Sequence, residues 1–349
     1  MEKEKPLISI IILNYNAGDL IFNCIKSVFQ TKYENYEVIL VDNISTDGSH
    51  KKCKEHFDKI QLIENLENFG YCEGNNIGIR KAKGEFIVIL NPDTIVEPDW
   101  LNEFLIAHAK FGDALYQPKI LSLYEEKILQ STGNMIHPFG FGFARDKGNQ
   151  ENNEIKETTK IGYAAGTCLF ALKETFLKLK LFDEFLFLYH DDLDIGWRAS
   201  QKEINSYIVP QTTIYHAESY SLKWSKKKFF WLERNRRYCL MTHYSPNTLK
   251  IIKKELWITE LLIWAVYFSK GYLTAKIKAE LELRKNKKFI IKKQIEIENE
   301  KRISDVELIK TFPDRIEIPK FVSNNFQSQW FLNIIENLSK KAKEKLLEK

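Results

Sequence analysis

The chain has 349 residues, enough for one large domain with extensions or two smaller ones. Hydrophobic residues at 44% and charged residues at 28% exclude a wholly disordered chain, and a net charge of +5 is too mild to imply nucleic-acid binding. The five cysteines are odd in number and form no CxxC pair, which argues against a disulfide framework or a cysteine zinc site and points to a reducing cytosol.

Residues 1–100 alternate between strand and helix signals. Leu7–Leu13 is a short apolar run suited to a strand buried on both faces, and the same run is too short for a signal peptide. Asp19–Thr31 has helical spacing of its apolar residues. Tyr36–Val41 reads as a second strand, followed by a helix from about Asp47 and a third strand at Ile60–Glu64. Gly74–Lys83 reads as a helix and Glu85–Leu90 as a fourth strand. Repeated strand–helix–strand units predict an α/β fold with a mixed, mostly parallel sheet flanked by helices, and ligands beyond the carboxyl ends of its strands.

Gly133–Gly148 reads as a loop, Glu151–Lys160 as a polar connection and Thr167–Leu172 as an extended segment. From about Lys223 the chain is helical and basic, and Lys285–Lys301 reads as a solvated helix. The expected division is residues 1–222, split near 100, followed by a helical extension over 223–349.

Polar clusters sit where the sheet would bind a ligand. Asp42-Asn43 ends the second strand and runs into Ser45, Asp47 and Gly48; it could accept bonds from a ribose or base, or serve as turn and cap chemistry. Asn68, Gly70, Gly74, Asn75, Asn76 and Gly78 form a Gly-rich helix start. Its free N–H groups suit a diphosphate, although an ordinary connection would look the same. Asn91-Pro92-Asp93 follows the fourth strand and is either a turn or a carboxylate site for a hard cation. Asp191, Asp192 and Asp194, with Trp197 and Arg198, place three carboxylates within four residues under aromatic cover. They read as a general base with an acceptor-binding partner, or as an acidic first helical turn. His216 follows a later strand; a lone histidine is more often structural than a ligand.

Taken in order, ISIIILNYN, VDNISTDGS, NFGYCEGNNIG, LNPDT, AAGTCLF, FDEFLFLYHDDLDIGWR and His216 resemble family 2 glycosyltransferases, most closely the rhamnosyltransferase-like branch, over residues 7 to about 240. The resemblance implies a GT-A fold, a nucleotide-diphosphate sugar donor, a divalent metal (Mg²⁺ or Mn²⁺) and inversion at the anomeric carbon. It assigns Asp42 to the nucleotide base or ribose. Asn14, Tyr15 and Asn16 fall in the loop beside the nucleotide, and Asn43, Asn68, Gly70, Asn75, Asn76 and Asn91 complete the expected donor set. Asp93 matches the last carboxylate of a DxD metal motif whose first position is Asn91, and His216 matches a histidine near metal and diphosphate. Asp192 matches the catalytic base, with Asp191 beside it where Glu is more usual. Asp194, Trp197 and Arg198 are expected on the acceptor side, and Arg234-Asn235 resemble an RN pair that follows the core.

In the basic region, Lys223, Lys226–Lys228 and Arg234–Arg237 surround Trp224, Phe229, Phe230 and Trp231, and Leu256–Tyr272 is an aromatic, apolar helix flanked by lysines. Such a face could lie on a membrane surface, pack as core or form a homodimer. The expected function is therefore an inverting glycosyltransferase acting on a glycan or lipid-linked acceptor for cell-surface polysaccharide, cytoplasmic or peripheral at the inner membrane face. The competing readings are a non-catalytic sugar-nucleotide-binding scaffold and a sugar nucleotidyltransferase. The latter would want a basic Gly-rich loop close after the first strand, where this chain has NYNAGD.

Overall fold

The computed structural model describes residues 5–152, 155–218, 225–318 and 326–348, without the side chains of 326–328. The expected junction at 222/223, with Lys223 and Trp224, lies outside them.

The chain opens with β1 (Ile8–Asn14), α1 (Asp19–Val28), β2 (Tyr36–Asp42), α2 (Ser49–His56), β3 (Ile60–Glu64), α3 (Gly70–Lys81) and β4 (Phe86–Leu90). These four strands run parallel, in the order β4-β1-β2-β3. Then come β5 (Thr94–Val96), α4 (Trp100–Phe111), β6 (Ala114–Ser122), β7 (Leu129–Ser131), β8 (Asn134–Ile136), β9 (Gly142–Ala144), β10 (Thr159–Ile161), β11 (Cys168–Leu172), α5 (Lys173–Lys178), α6 (Asp191–Gln201) and β12 (Asn205–His216). Among the described residues the main sheet has ten strands. β11 is inserted antiparallel between β4 and β6, and β12 pairs parallel to β6 and antiparallel to β5. The sheet is thus mixed and mostly parallel, as expected.

Alternation along each strand divides the interior into two cores. Ile8, Ile10 and Ile12, with Leu40, Val88 and Phe170, face α1, α2 and α4. Ile11, Ile39, Val41, Ile87 and Leu169 face the other way, toward α3, α5 and α6. That second core continues without a break into the helices after the sheet: α7 (Lys226–His243), α8 (Pro246–Ile251), α9 (Lys253–Ser269), α10 (Leu273–Lys285), α11 (Lys287–Glu300), α12 (Asp305–Thr311) and α13 (Phe326–Leu347). No helix among the described residues is long and apolar enough to cross a membrane.

Two sequence expectations change. The Gly133–Gly148 stretch is not all loop: β8 and β9 form a hairpin, its turn closed by Gly140, whose φ of 76° suits glycine. And α3 begins at Gly70, four residues before the expected start. The Tyr71 and Cys72 N–H groups both point at the Phe187 carbonyl, at 2.6 and 3.4 Å, so a distant loop caps the helix. No sequence pattern within the helix could have announced that cap.

Candidate active site

The carboxyl ends of β1, β2 and β3 lie side by side, and their register brings Asn14 beside Asp42 and Asp42 beside Glu64. Asn14 Nδ2 donates to Asp42 Oδ1 at 2.8 Å, and Asp42 Oδ2 accepts the Ser45 N–H at 2.8 Å. His50 stands between Asp42 and Glu64, 3.4 and 3.3 Å from their carboxylates. Asn16, at φ 54°, accepts the Thr46 N–H, and Asp47 accepts the Ser49 N–H at the start of α2. Asn14 and Asp42 are therefore buried behind the site, holding the 43–49 loop, not on its wall.

In front of that loop is a crevice of about 830 Å³. Tyr15, Asn43, Asn68, Gly70 and Asn91 line it. Tyr71, Phe187, Leu188, Lys227 and Trp231 line it as well, none of them among the expected site residues. Asn43 Nδ2 donates to the Gly70 carbonyl at 2.9 Å, which ties the two expected segments together. Asn75 and Asn76 do not face the crevice. Asn75 donates to the Tyr71 carbonyl, and Asn76 exchanges hydrogen bonds with the Phe182 backbone, so both are interior fasteners. Nor does the Gly-rich start of α3 present free N–H groups to an anion, because the Phe187 carbonyl takes them. A Cβ on Gly74 or Gly78 would fall 2.6 and 2.4 Å from Leu13 and Ile11 side chains, so these glycines let α3 lie close on β1.

Next to the crevice the Asn91-Pro92-Asp93 turn leads into β5. The β5–β12 pairing sets Thr94 opposite His216, and Ala217 N–H donates to the Asp93 carbonyl at 3.0 Å. This brings His216 Nε2 to 3.3 Å from Asp93 Oδ2. Asp93 is 2% exposed, and its Oδ1 is buried with no hydrogen-bond partner among the described residues. Gln130 Nε2 donates to the His216 carbonyl at 2.8 Å, which fixes the amide so that Oε1 faces His216 Nδ1 at 2.7 Å. Nδ1 must then be the donor, and Nε2 is aimed at the Asp93 carboxylate. An imidazole nitrogen and a carboxylate with an orphaned oxygen are donor types that fit a divalent cation. Two other groups of ligand-type side chains do not. Asp194, Cys239 and His243 meet Arg198, and Glu233, Glu260 and Glu280 meet Arg236, Arg237 and Lys276.

His216 and Asp192 line one cavity of about 870 Å³, together with Gln130, Tyr163 and Thr167. Asp192 Oδ2 accepts the Gly166 N–H at 3.1 Å and Oδ1 the Leu193 N–H at 2.8 Å. The Gly166 carbonyl in turn accepts the Tyr71 hydroxyl at 2.6 Å, so this residue bridges the crevice wall and the carboxylate. Burial, then repulsion from Asp192, pushes the Asp191 carboxyl well above the ordinary range. Burial raises Asp192 too, opposed by its two backbone donors.

Asp194, Trp197 and Arg198 are buried and do not line the cavity. Asp194 is fully buried: Arg198 Nε donates to it at 2.9 Å and His243 Nε2 lies 3.1 Å away. Burial alone would raise its carboxyl, but Arg198 and His243 hold it well below the usual range. Trp197 is enclosed edge-to-face by His243, Tyr244 and Phe312. The i, i+4 spacing of Asp194 and Arg198 is the sequence signal for this internal pair.

The RN pair shapes the loop that carries the acidic helix. Phe187, Tyr189 and His190 all have positive φ, between 61° and 67°. Asn235 Nδ2 lies 2.7–2.9 Å from the Leu186, Leu188 and Tyr189 carbonyls, and Arg234 Nη2 donates to those of Phe185 and Leu186. This clamp holds an unfavourable backbone in place just ahead of Asp191.

The family model described as glycosyl transferase family 2 matches residues 9–179. Residues 9–179 belong to that family. The chain is 26% identical over 205 residues to the low-salt glycan biosynthesis hexosyltransferase Agl10 of Haloferax volcanii, covering 57% of this chain and 63% of that one. It is 27% identical over 226 residues to the O-antigen biosynthesis protein RfbC of Myxococcus xanthus, covering 62% of this chain and 18% of that protein. The chain thus spans less than two thirds of the length of either relative. Among solved structures, GalNAc-T7 with UDP, GalNAc and Mn²⁺ superposes with a TM-score of 0.59 at 17% identity, over 72% of this chain and 51% of that one. S. aureus TarS 1-349 in complex with UDP superposes with a TM-score of 0.50 at 13% identity, over 98% and 91%. At such identities these two speak to the fold, which is of the GT-A type.

Proposed function

We propose that the chain is an inverting glycosyltransferase that moves a sugar from a nucleotide-diphosphate donor, dTDP-rhamnose or a UDP-hexose, to a hydroxyl of a glycan or lipid-linked acceptor in cell-surface polysaccharide synthesis. One observation carries this reading: Asp192 shares a cavity with His216, and His216 meets Asp93 beside the crevice. A base and a cation site thus bracket a space where a sugar could sit. The hexosyltransferase and O-antigen relatives agree with it.

Asp192 would take the acceptor hydroxyl's proton while that oxygen attacks the anomeric carbon. The Gly166 and Leu193 N–H groups fix its carboxylate toward the cavity. Burial and the neighbouring Asp192 raise the Asp191 carboxyl, which disfavours a second charge beside the base. The crevice lined by Tyr15, Asn43, Asn68 and Asn91 would take the nucleotide. Asp93 and His216 would hold a divalent ion, Mg²⁺ or Mn²⁺, whose charge offsets the negative charge gathering on the departing diphosphate.

The proposal extends to location and division of labour. All five cysteines are buried and unpaired, which supports a reducing, cytoplasmic setting. Trp257, Leu261 and Phe268 on α9 and Ile277 and Leu281 on α10 are exposed, with Lys253, Lys254, Lys270 and Lys278 around them. That pairing of aromatic and basic side chains suits the surface of an anionic bilayer, with a homodimer as the competing use of the same face. Sedimentation with phosphatidylglycerol vesicles at low salt tests it, and no binding would end it. Residues 1–222 would then be the transferase unit and 223–349 an extension.

The central test is Asp192→Asn. Turnover should fall by about a hundred- to ten-thousandfold with nucleotide binding retained. Wild-type turnover in that variant would remove Asp192 as the base.

A further inference from the structure

The crevice needs to receive a diphosphate, yet the side chains lining it from the sheet and α3 are neutral: Tyr15, Asn43, Asn68, Tyr71 and Asn91. The only charged side chain on its wall among the described residues is Lys227, at the start of α7. Lys227 is exposed and makes no ion pair among the described residues. It stands four residues before Trp231, hence on the same helical face. Trp231 is fixed on the crevice by stacking on Phe187, with ring centroids 5.0 Å apart at 17°, and by the Arg234 guanidinium 4.4 Å from its ring centre. The ammonium is thus carried to the crevice by a helix anchored one turn further along.

We propose that Lys227 is a donor-contacting residue that binds the terminal phosphate of the nucleoside diphosphate. This rests on the reading that the crevice is the donor site. In the transfer, the bond between the anomeric carbon and the phosphate oxygen breaks as the acceptor oxygen–carbon bond forms. The electron pair stays on the diphosphate, and the acceptor proton goes to Asp192. Lys227 then faces the oxygens on which charge increases, where a charge-assisted hydrogen bond is strongest.

The test is isothermal titration calorimetry of the full chain with UDP, dTDP, UMP and dTMP in MnCl₂, comparing wild type with Lys227→Ala and Lys227→Arg. Because Lys227 is exposed, thermal unfolding of both variants should match wild type. We expect Lys227→Ala to weaken the tighter-binding diphosphate by about ten- to a hundredfold, the corresponding monophosphate far less, and Lys227→Arg to restore most of the loss. Unchanged diphosphate affinity in Lys227→Ala would overturn the proposal while leaving the donor site standing. So would equal losses for mono- and diphosphate. Failure of wild type to bind either diphosphate would overturn the donor-site reading, and this inference with it.

Discussion

His216 Nε2 faces Asp93 Oδ2 at 3.3 Å, and the opposite ring nitrogen is held 2.7 Å from Gln130 Oε1. Gln130 is therefore the residue that aims the imidazole. Replacing it with Ala frees the ring and should weaken Mn²⁺ affinity by about 10–100-fold, the usual effect of losing a support behind a metal ligand. His216→Ala should weaken it at least as much. Manganese titration followed by electron paramagnetic resonance checks both; affinities equal to wild type would take the pair out of the metal site.

The neighbouring carboxylates Asp191 and Asp192 give a pH signature. Burial raises Asp192, and a base works only when deprotonated, so kcat/KM should fall on the acid side at a higher pH than an ordinary aspartate would give. Repulsion acts on Asp191, the carboxyl raised further, and not on Asp192, so Asp191→Asn should leave the acid limb in place. A limb that moves to lower pH in this variant would show that Asp191 carries charge beside the base.

Asn235 supports a loop whose backbone would not hold its shape alone. Asn235→Ala leaves up to three carbonyls short of a donor, at about 1–3 kcal/mol for each one buried. Asn235→Asp should be worse, since a carboxylate repels those carbonyls. We expect both to lower the melting temperature and to change kcat and donor KM together, because the loop leads into Asp191 and Asp192 and also carries Phe187 and Leu188 on the crevice wall. An effect confined to KM would contradict this.

Arg198→Ala leaves the buried Asp194 with only His243 beside it, and losing the guanidinium should cost about 3–5 kcal/mol in stability. Urea unfolding measures it. The KM for acceptor of the folded variant should be unchanged, as neither side chain reaches the cavity.

What the sequence made legible follows burial. β1, β2, β3 and β4 could be read because central parallel strands are nearly unbroken apolar runs. Asp93 and His216 were singled out by motif, but no spacing rule could bring them together; the β5–β12 register does that. Asn75, Asn76, Asp194 and Arg198 looked like ligand contacts because polar residues near a site are read as facing it. Here they satisfy buried backbone or one another. Lys227 and Trp231 went unread as site residues because they join the crevice only when α7 folds back against Phe187.

The unbroken core between sheet and C-terminal helices has an evolutionary corollary. Residues 9–179 carry the family signature, yet they are no interchangeable cassette: Tyr238, Leu240 and Ile335 share one interior with Ile11 and Ile39. A chimera that grafts residues 9–179 onto a relative's tail must transplant α6 and α7 with them, or the graft loses Asp192 and the interior faces that back its sheet.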